Sequence, residues 1–414
     1  MREAVLAAPQ DRTHMTTYLT CIGTRPEIIK MAMLYRTLKA QGHSMLLLHT
    51  GQHEAVAQEL YRFFDMPPDI QIDLKRRSPR LGDLTSTLLE GIDEVIERTD
   101  PDVVLVQGDT TSALAGALAG YYHDKPVAHI EAGLRTYERE PFPEEKNREL
   151  ISRLAHWHFA PTAQARINLI DEGIDPAHIF QVGNPVIDSV LWVRERISLG
   201  LADAKPAMPP VLRDFLEAYR TNRLLLVTAH RRENWGEPIR EIAAGVAQLL
   251  LDHPDLVVVW PVHPNPSVQA DVNAGLAHLC PAARSRLCLT APLNYLALIV
   301  LLSRCHFTLT DSGGIQEEAS ALAKPVLVAR NSTERQELVQ AGGARLVGTQ
   351  AAAIVREASA LLTNDLAYRA MQLPCSPFGD GHAARRIADI LTQPIHAKAA
   401  LSVVGGGAGR SRVG

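Results

Sequence analysis

Phe307-Thr308-Leu309-Thr310-Asp311-Ser312-Gly313-Gly314-Ile315-Gln316-Glu317-Glu318 is a short apolar run that ends in Asp-Ser-Gly-Gly and passes at once into a helix-forming run. The pattern predicts a strand, a tight turn and a helix. Two consecutive glycines lack Cβ atoms, so backbone N–H groups there can approach a bulky anion. The N-terminus of the following helix directs its own free N–H groups and positive dipole end at the same place. A phosphate fits such a seat. Glu317 and Glu318 are expected in the helix's first turn, where one can cap the helix and the other can accept hydrogen bonds from a sugar diol. Taken alone the stretch is better read as an ordinary strand-to-helix loop with capping carboxylates, so its company decides.

Working outward, apolar runs at 18–23, 45–49, 103–107 and 127–131 alternate with helical patterns at 28–40, 84–98 and 112–121, and a short run at 179–182 closes this set. A second set follows, with strands expected at 224–228, 256–260, 307–310 and 325–328 and helical patterns at 239–251 and 296–303. Such alternation predicts an α/β protein with two doubly wound parallel sheets. The Ala- and Pro-rich segment 199–210 reads as a surface excursion near their boundary. The expected division is a loose extension at 1–14, a first domain at 15–187 and a second at 188–378, with a Gly-rich disordered tail at 393–414. Ligands of open α/β sheets bind beyond the carboxyl ends of the strands, so two facing halves would gather those loops around one cleft.

Composition bounds the possibilities. With 414 residues, 46% hydrophobic and 21% charged, the chain exceeds what one α/β core usually sustains. Lys and Arg number 42 against 46 for Asp and Glu, a balance without a polyanion-binding signature, so nucleic acid is not an expected partner. Five widely spaced cysteines imply free thiols in a reducing compartment rather than a disulfide framework. The apolar run 296–302 is far too short to span a bilayer and the N-terminus lacks an apolar signal core, which predicts a cytoplasmic protein without a membrane partner.

The charged residues of interest follow strands. Gly23-Thr24-Arg25-Pro26-Glu27-Ile28-Ile29-Lys30 places Pro26 in a first helical turn, with Arg25 beside it able to grip a phosphate bidentately. Lys30 is either a ligand or a solvated helix charge. Asp109, in Gln107-Gly108-Asp109-Thr110-Thr111, either faces a ligand or caps the next helix. Glu131 ends an apolar strand in Ile130-Glu131-Ala132-Gly133-Leu134-Arg135, so it should be at least half buried with a tunable pKa. Glu144 and Glu145 enter a helix from a proline-stiffened loop, where capping alone is also a fair account. His230, Arg231 and Arg232 form an imidazole and two guanidiniums on one loop. His263 lies in a proline-rich loop whose prolines equally stiffen it without a ligand.

Absences narrow the reaction. No strand is followed by Gly-x-Gly-x-x-Gly and no Gly-x-x-x-x-Gly-Lys-Ser/Thr occurs, so neither a dinucleotide cofactor nor a P-loop is indicated. His156, His158 and the cysteines lack zinc-site spacing, and no metal or other cofactor is expected. Acid/base work by carboxylates on a phosphate-anchored sugar remains.

Six motifs then occur in order: Gly-Thr-Arg-Pro-Glu at 23–27, Gly-Asp-Thr-Thr at 108–111, His-Ile-Glu-Ala-Gly-Leu-Arg at 129–135, Pro-Glu-Glu-Lys-Asn-Arg at 143–148, His-Arg-Arg-Glu at 230–233 and Asp-Ser-Gly-Gly-Ile-Gln-Glu-Glu at 311–318. From about 17 to 391 the chain closely resembles the non-hydrolysing UDP-N-acetylglucosamine 2-epimerases. The resemblance implies a GT-B-like architecture, two Rossmann-like doubly wound domains facing a central cleft, with a final helix at 379–392 crossing back to the first domain. It implies interconversion of UDP-N-acetylglucosamine and UDP-N-acetylmannosamine for bacterial surface polysaccharides, by anti elimination of UDP and syn re-addition to a glycal. Asp109, Glu131, Glu144 and His230 match the catalytic positions. Arg25, Lys30, Arg135, His263, Ser312, Gly313, Gly314 and Glu318 would bind the UDP-sugar, the expected partner, in an enzyme that is usually a homodimer. A hydrolysing epimerase releasing UDP and N-acetylmannosamine, an epimerase of a UDP-2,3-diacetamido uronic acid and, more distantly, a GT-B glycosyltransferase are the competing expectations. Relatives activated by their own substrate carry Gln-His-x-x-Met, whereas here Gln52 and His53 are followed by Glu54, Ala55 and Val56. That departure implies loss of the activator, unless Gln52, His53, Arg77 and Arg80 preserve it.

Overall fold

The computed structural model describes residues 15–51, 54–74, 78–139, 141–203 and 208–393, with backbone alone at 54–56. The extension at 1–14, positions 394–414 of the tail, and Gln52, His53, Arg77 and the side chains of Glu54, Ala55 and Val56 lie outside this description.

Apolar runs bounded by turn residues form the strands, and the central ones are buried on both faces, as parallel sheets require. The first sheet contains β1 (Thr17–Ile22), β2 (Ser44–His49), β3 (Ile70–Gln71), β4 (Val103–Gln107), β5 (Val127–Ile130), β6 (Trp157–Ala160) and β7 (Ile179–Gln181). The second contains β8 (Arg223–Thr228), β9 (Leu256–Pro261), β10 (Leu287–Thr290), β11 (Phe307–Thr310), β12 (Val326–Val328) and β13 (Ala344–Leu346). The orders are β3-β2-β1-β4-β5-β6-β7 and β10-β9-β8-β11-β12-β13, and every pairing is parallel. The two sheets therefore repeat one winding, and each reverses its strand order at a single place, β1/β4 in the first and β8/β11 in the second. Ligand crevices form at such reversals. The loops after β1, β4, β8 and β11 carry Arg25, Asp109, His230 and Ser312.

Four strands were not anticipated. β3, β10 and β13 are edge strands, half exposed and short, so their apolar pattern is weak. β6 is internal, but His156 and His158 interrupt its apolar reading. Three cysteines, Cys21, Cys288 and Cys305, are buried, while Cys280 and Cys375 are exposed, and all five are free. Among the described residues no helix is long and apolar enough to cross a membrane.

Two helices join the halves. Helix Pro185–Ser198 packs against helix Arg25–Ala40 on one side and against helices Tyr295–Arg304 and Gly313–Ala321 on the other. Helix Ala383–Leu391 returns to helix Arg25–Ala40, inserting Ile387 and Leu391 into a buried cluster that also holds Ile28, Leu34, Leu301 and Ile315. Asp188 fixes the crossing, its carboxylate accepting the N–H groups of Ala383 at 3.2 Å and Ala384 at 2.8 Å. Burial pushes that carboxyl up to about 6 against these hydrogen bonds.

Candidate active site

A cleft of about 610 Å³ lies where the two sets of loops face one another. Thr24 is the N-cap of helix Arg25–Ala40, and Glu27 returns to it in a reciprocal capping box, which aims Arg25 into the cleft. Arg25 also reaches the second half, its Nη1 donating to the Leu293 carbonyl at 3.5 Å.

The first half supplies Asp109, Glu131 and Glu144 to the cleft wall. Glu131 lies just past β5 rather than in it, in the left-handed region at φ 66°. A non-glycine residue held there is strained by about 1–3 kcal/mol, and such strain gathers at functional sites. Its carboxylate receives Lys30 Nζ on both oxygens, at 2.7 and 2.5 Å, and the Gln107 side-chain amide. Burial alone would raise its pKa, but Lys30, Arg335 and Arg148 outweigh burial and hold it below the ordinary carboxylate range. Lys30 is buried, so it is no solvated helix charge. Its desolvation is overcome by Glu131 and Glu317, the latter at 3.8 Å. Asp109 is held by Arg148, whose Nε and Nη2 approach Oδ2 at 2.8 and 2.6 Å. Thr110, not Asp109, caps the next helix, accepting from Ala113 N–H at 3.0 Å. Glu144 opens helix Glu144–Leu154 at the cleft edge. Glu145 turns away and accepts the N–H groups of Thr136 and Tyr137, each at 2.9 Å.

The second half presents the turn Ser312, Gly313 and Gly314. Helix Gly313–Ala321 starts at the first glycine and the Ser312 side chain does not cap it, so its leading N–H groups are left for an incoming group. Glu317 and Glu318 consequently fall in the second turn, not the first, and neither caps the helix. Glu318 faces the cleft, and burial raises its carboxyl to about 7 although Arg25 opposes this. Asp311 is fully buried and shapes the neighbouring loop, its Oδ2 accepting from His230 N–H at 2.9 Å, Arg231 N–H at 2.8 Å and Asn234 Nδ2 at 3.0 Å. That loop leaves the His230 ring half exposed, with Nδ1 3.6 Å from Asp311 Oδ1. His263 also lines the cleft, and its Nδ1 accepts the Asn265 N–H at 3.1 Å.

Arg135 is the exception among the expected residues. Its side chain is fully buried against Glu172 at 2.6 Å, and its remaining donors go to Ser152 at 2.9 Å and the Leu134 carbonyl at 2.8 Å. It braces the loop behind Glu131 instead of lining the cleft. Conversely, Arg335 was missed. It follows β12 and joins the halves, lying 2.7 Å from Glu317 and 3.8 Å from Glu131. A search for cations on loops after strands, the criterion that found His230, would have found it in Asn331-Ser332-Thr333-Glu334-Arg335. Glu27 and Gln107, also at the cleft, carried no signal beyond a capping position and a strand end.

The chain is similar in sequence and in fold to proteins of one family. Residues 36–392 match the family model described as UDP-N-acetylglucosamine 2-epimerase. A probable UDP-N-acetylglucosamine 2-epimerase from Ralstonia solanacearum is 43% identical over 375 residues, covering 90% of this chain and 98% of that one. The UDP-N-acetylglucosamine 2-epimerase of Escherichia coli K12 is 41% identical over 381 residues, covering 90% and 97%. Among solved structures, the UDP-GlcNAc 2-epimerase from Neisseria meningitidis, bound to UDP-GlcNAc, superposes with a TM-score of 0.80 at 36% identity, covering 91% of this chain and 99% of that one.

Proposed function

The chain belongs to the UDP-N-acetylglucosamine 2-epimerase family, and from that premise we propose that it interconverts UDP-N-acetylglucosamine and UDP-N-acetylmannosamine without net hydrolysis. The observation that carries this reading is the lining of one cleft: Asp109, Glu131 and Glu144 come from the first half, and Arg25 of that half joins His230 and the leading N–H groups at Gly313 and Gly314 of the second as the groups that would form an anion seat. The C2 proton is not adjacent to a carbonyl, so its direct removal would leave an unstabilised carbanion. Elimination solves this. A carboxylate takes the C2 proton, the C2–H electrons become the C1=C2 bond of a glycal, and the C1–O bond breaks to release UDP as an anion. The anion seat stabilises the negative charge that grows on the diphosphate, which is where fixed dipoles and cations contribute most. A second carboxyl group, in its protonated form, delivers a proton to the other face of C2, the C1=C2 electrons form the new C2–H bond, and the diphosphate oxygen re-adds to C1. Glu131, held ionised, enters in the accepting form, and Glu318, which lines the same cleft, would take the ribose hydroxyls.

With UDP-N-acetylglucosamine in D₂O, NMR is expected to show UDP-N-acetylmannosamine carrying deuterium at C2 and no stoichiometric UDP. Equimolar UDP with free N-acetylmannosamine would establish a hydrolysing reaction instead, and epimerised product without deuterium would remove proton exchange from the mechanism. Arg25→Ala and His230→Ala are each expected to weaken UDP binding by about 10-fold or more, the scale of one charge-assisted hydrogen bond to phosphate. Titration calorimetry giving unchanged affinity for both variants, with unchanged rates, would place the diphosphate elsewhere.

A further inference from the structure

The loop that carries Asp109 is pinned at three successive residues by three buried side chains from different elements. The Gly108 carbonyl lies 2.7 Å from His129 Nε2, and the Asp109 carbonyl accepts from Asn147 Nδ2 at 2.7 Å. The Thr110 hydroxyl donates to Glu27 Oε1 at 2.7 Å. The first two grips hold backbone. The third is of another kind, because Glu27 belongs to the first turn of helix Arg25–Ala40 and its other oxygen is already engaged. Oε2 accepts the N–H groups of Gly23 at 3.0 Å and Thr24 at 2.6 Å. One buried carboxylate thus closes a local helix cap and ties that helix start to the Asp109 loop across the β1/β4 reversal. A capping box needs one acceptor oxygen at this position, which Glu and Gln both provide. The second oxygen, aimed at Thr110, is surplus to capping.

Building on the acid/base role proposed above for Asp109, we infer that Glu27 is a positioning residue for proton transfer, holding Thr110 and through it the orientation of Asp109. Its carboxylate is almost completely buried, and a buried acceptor with two oxygens fully used fixes both loops at once. The Thr110 hydroxyl simultaneously accepts from Ala113 N–H, so its proton has one direction left and Glu27 receives it.

Glu27→Gln separates the two roles. The amide oxygen can still accept from Gly23 and Thr24, but the amide nitrogen then faces Thr110 as a donor and the hydroxyl proton loses its acceptor. The expected result is a kcat about 10-fold lower, a displacement of proton-transfer geometry being costly, with KM and UDP affinity within about 3-fold of the parent. In a Thr110→Val background the same substitution is expected to cost less than about 3-fold, because the partner is gone. A wild-type kcat in Glu27→Gln overturns the inference, as does a KM effect with intact kcat, or an equal loss in the Thr110→Val background. Asp109→Asn, assayed alongside, separates the two ideas: if it retains the parent rate the acid/base reading of Asp109 fails, whereas an inactive Asp109→Asn beside a fully active Glu27→Gln overturns this inference alone.

Discussion

Glu131→Gln is expected to lower kcat by about 10²-fold or more, the scale of a lost general acid/base group, while leaving UDP affinity nearly unchanged. The proposed anion seat comprises Arg25, His230 and the Gly313-Gly314 turn, and among the described residues the partners of the Glu131 carboxylate are instead Lys30, Gln107 and Arg335, so binding and turnover should separate. The same change removes the main counter-charge of buried Lys30 and one neighbour of Arg335. Leaving a buried charge short of its partner costs about 3 kcal/mol, somewhat softened here by Glu317 at 3.8 Å. The pH dependence follows from the sign of the shift. Glu131 is depressed in the folded state relative to its ordinary value of 4.5, so its stabilisation is present above that value and is lost as the pH falls through the folded value. Urea titrations should therefore show a deficit in the variant at neutral pH that shrinks in acid. A near-wild-type kcat would remove Glu131 from the chemistry, and a deficit independent of pH would show that the Lys30 pair does not stabilise the fold.

Gly133→Ala should be the most damaging substitution for folding among the glycines near the site. The residue has φ 87°, and a Cβ built on it would lie 2.1 Å from the Ala165 carbonyl oxygen and 2.9 Å from Leu169 Cδ1. Ala165 belongs to helix Ala163–Asp171, so the obstacle is backbone that cannot step aside without moving the helix. The Gly133 carbonyl is in turn held by Asn168 Nδ2 at 2.9 Å. Backbone strain and forced overlap together are expected to cost about 4 kcal/mol. Gly173→Ala is the internal control, with a similar φ of 82° and nothing within 4 Å of the new Cβ. It should lose about 1 kcal/mol. Equal losses at the two positions in urea unfolding would mean that conformation alone, not the helix contact, sets the cost.

Which features were legible depended on how local their causes are. The Asp-Ser-Gly-Gly turn could be read because strand, turn and helix follow from neighbouring residues, and the charged loops after β1, β4 and β8 could be read because parallel sheets put such loops at one end. Lys30 could not be resolved, since only the packing of Glu131 and Glu317 around it decides between a solvated and a buried ammonium. Arg135 misled for the complementary reason: Glu172, which captures it, lies far along the chain with no pattern to announce it. Arg335 required knowing that the two halves approach closely enough for its guanidinium to stand near Glu131. Glu318 was recognisable as a cleft carboxylate, but its turn of the helix was misjudged by the placement of the helix start at Gly313.

Helix Ala383–Leu391 bears on how the molecule is made. Its Ile387 and Leu391 complete a core begun by helix Arg25–Ala40, so residues far apart in the sequence must meet before the first half is finished. On the ribosome, where synthesis proceeds at about 5–20 residues per second, the earlier half waits with that apolar surface of helix Arg25–Ala40 uncovered while the whole second half is translated and folds. A stall before Ala383 would therefore leave that surface without the two side chains that cover it in the finished fold.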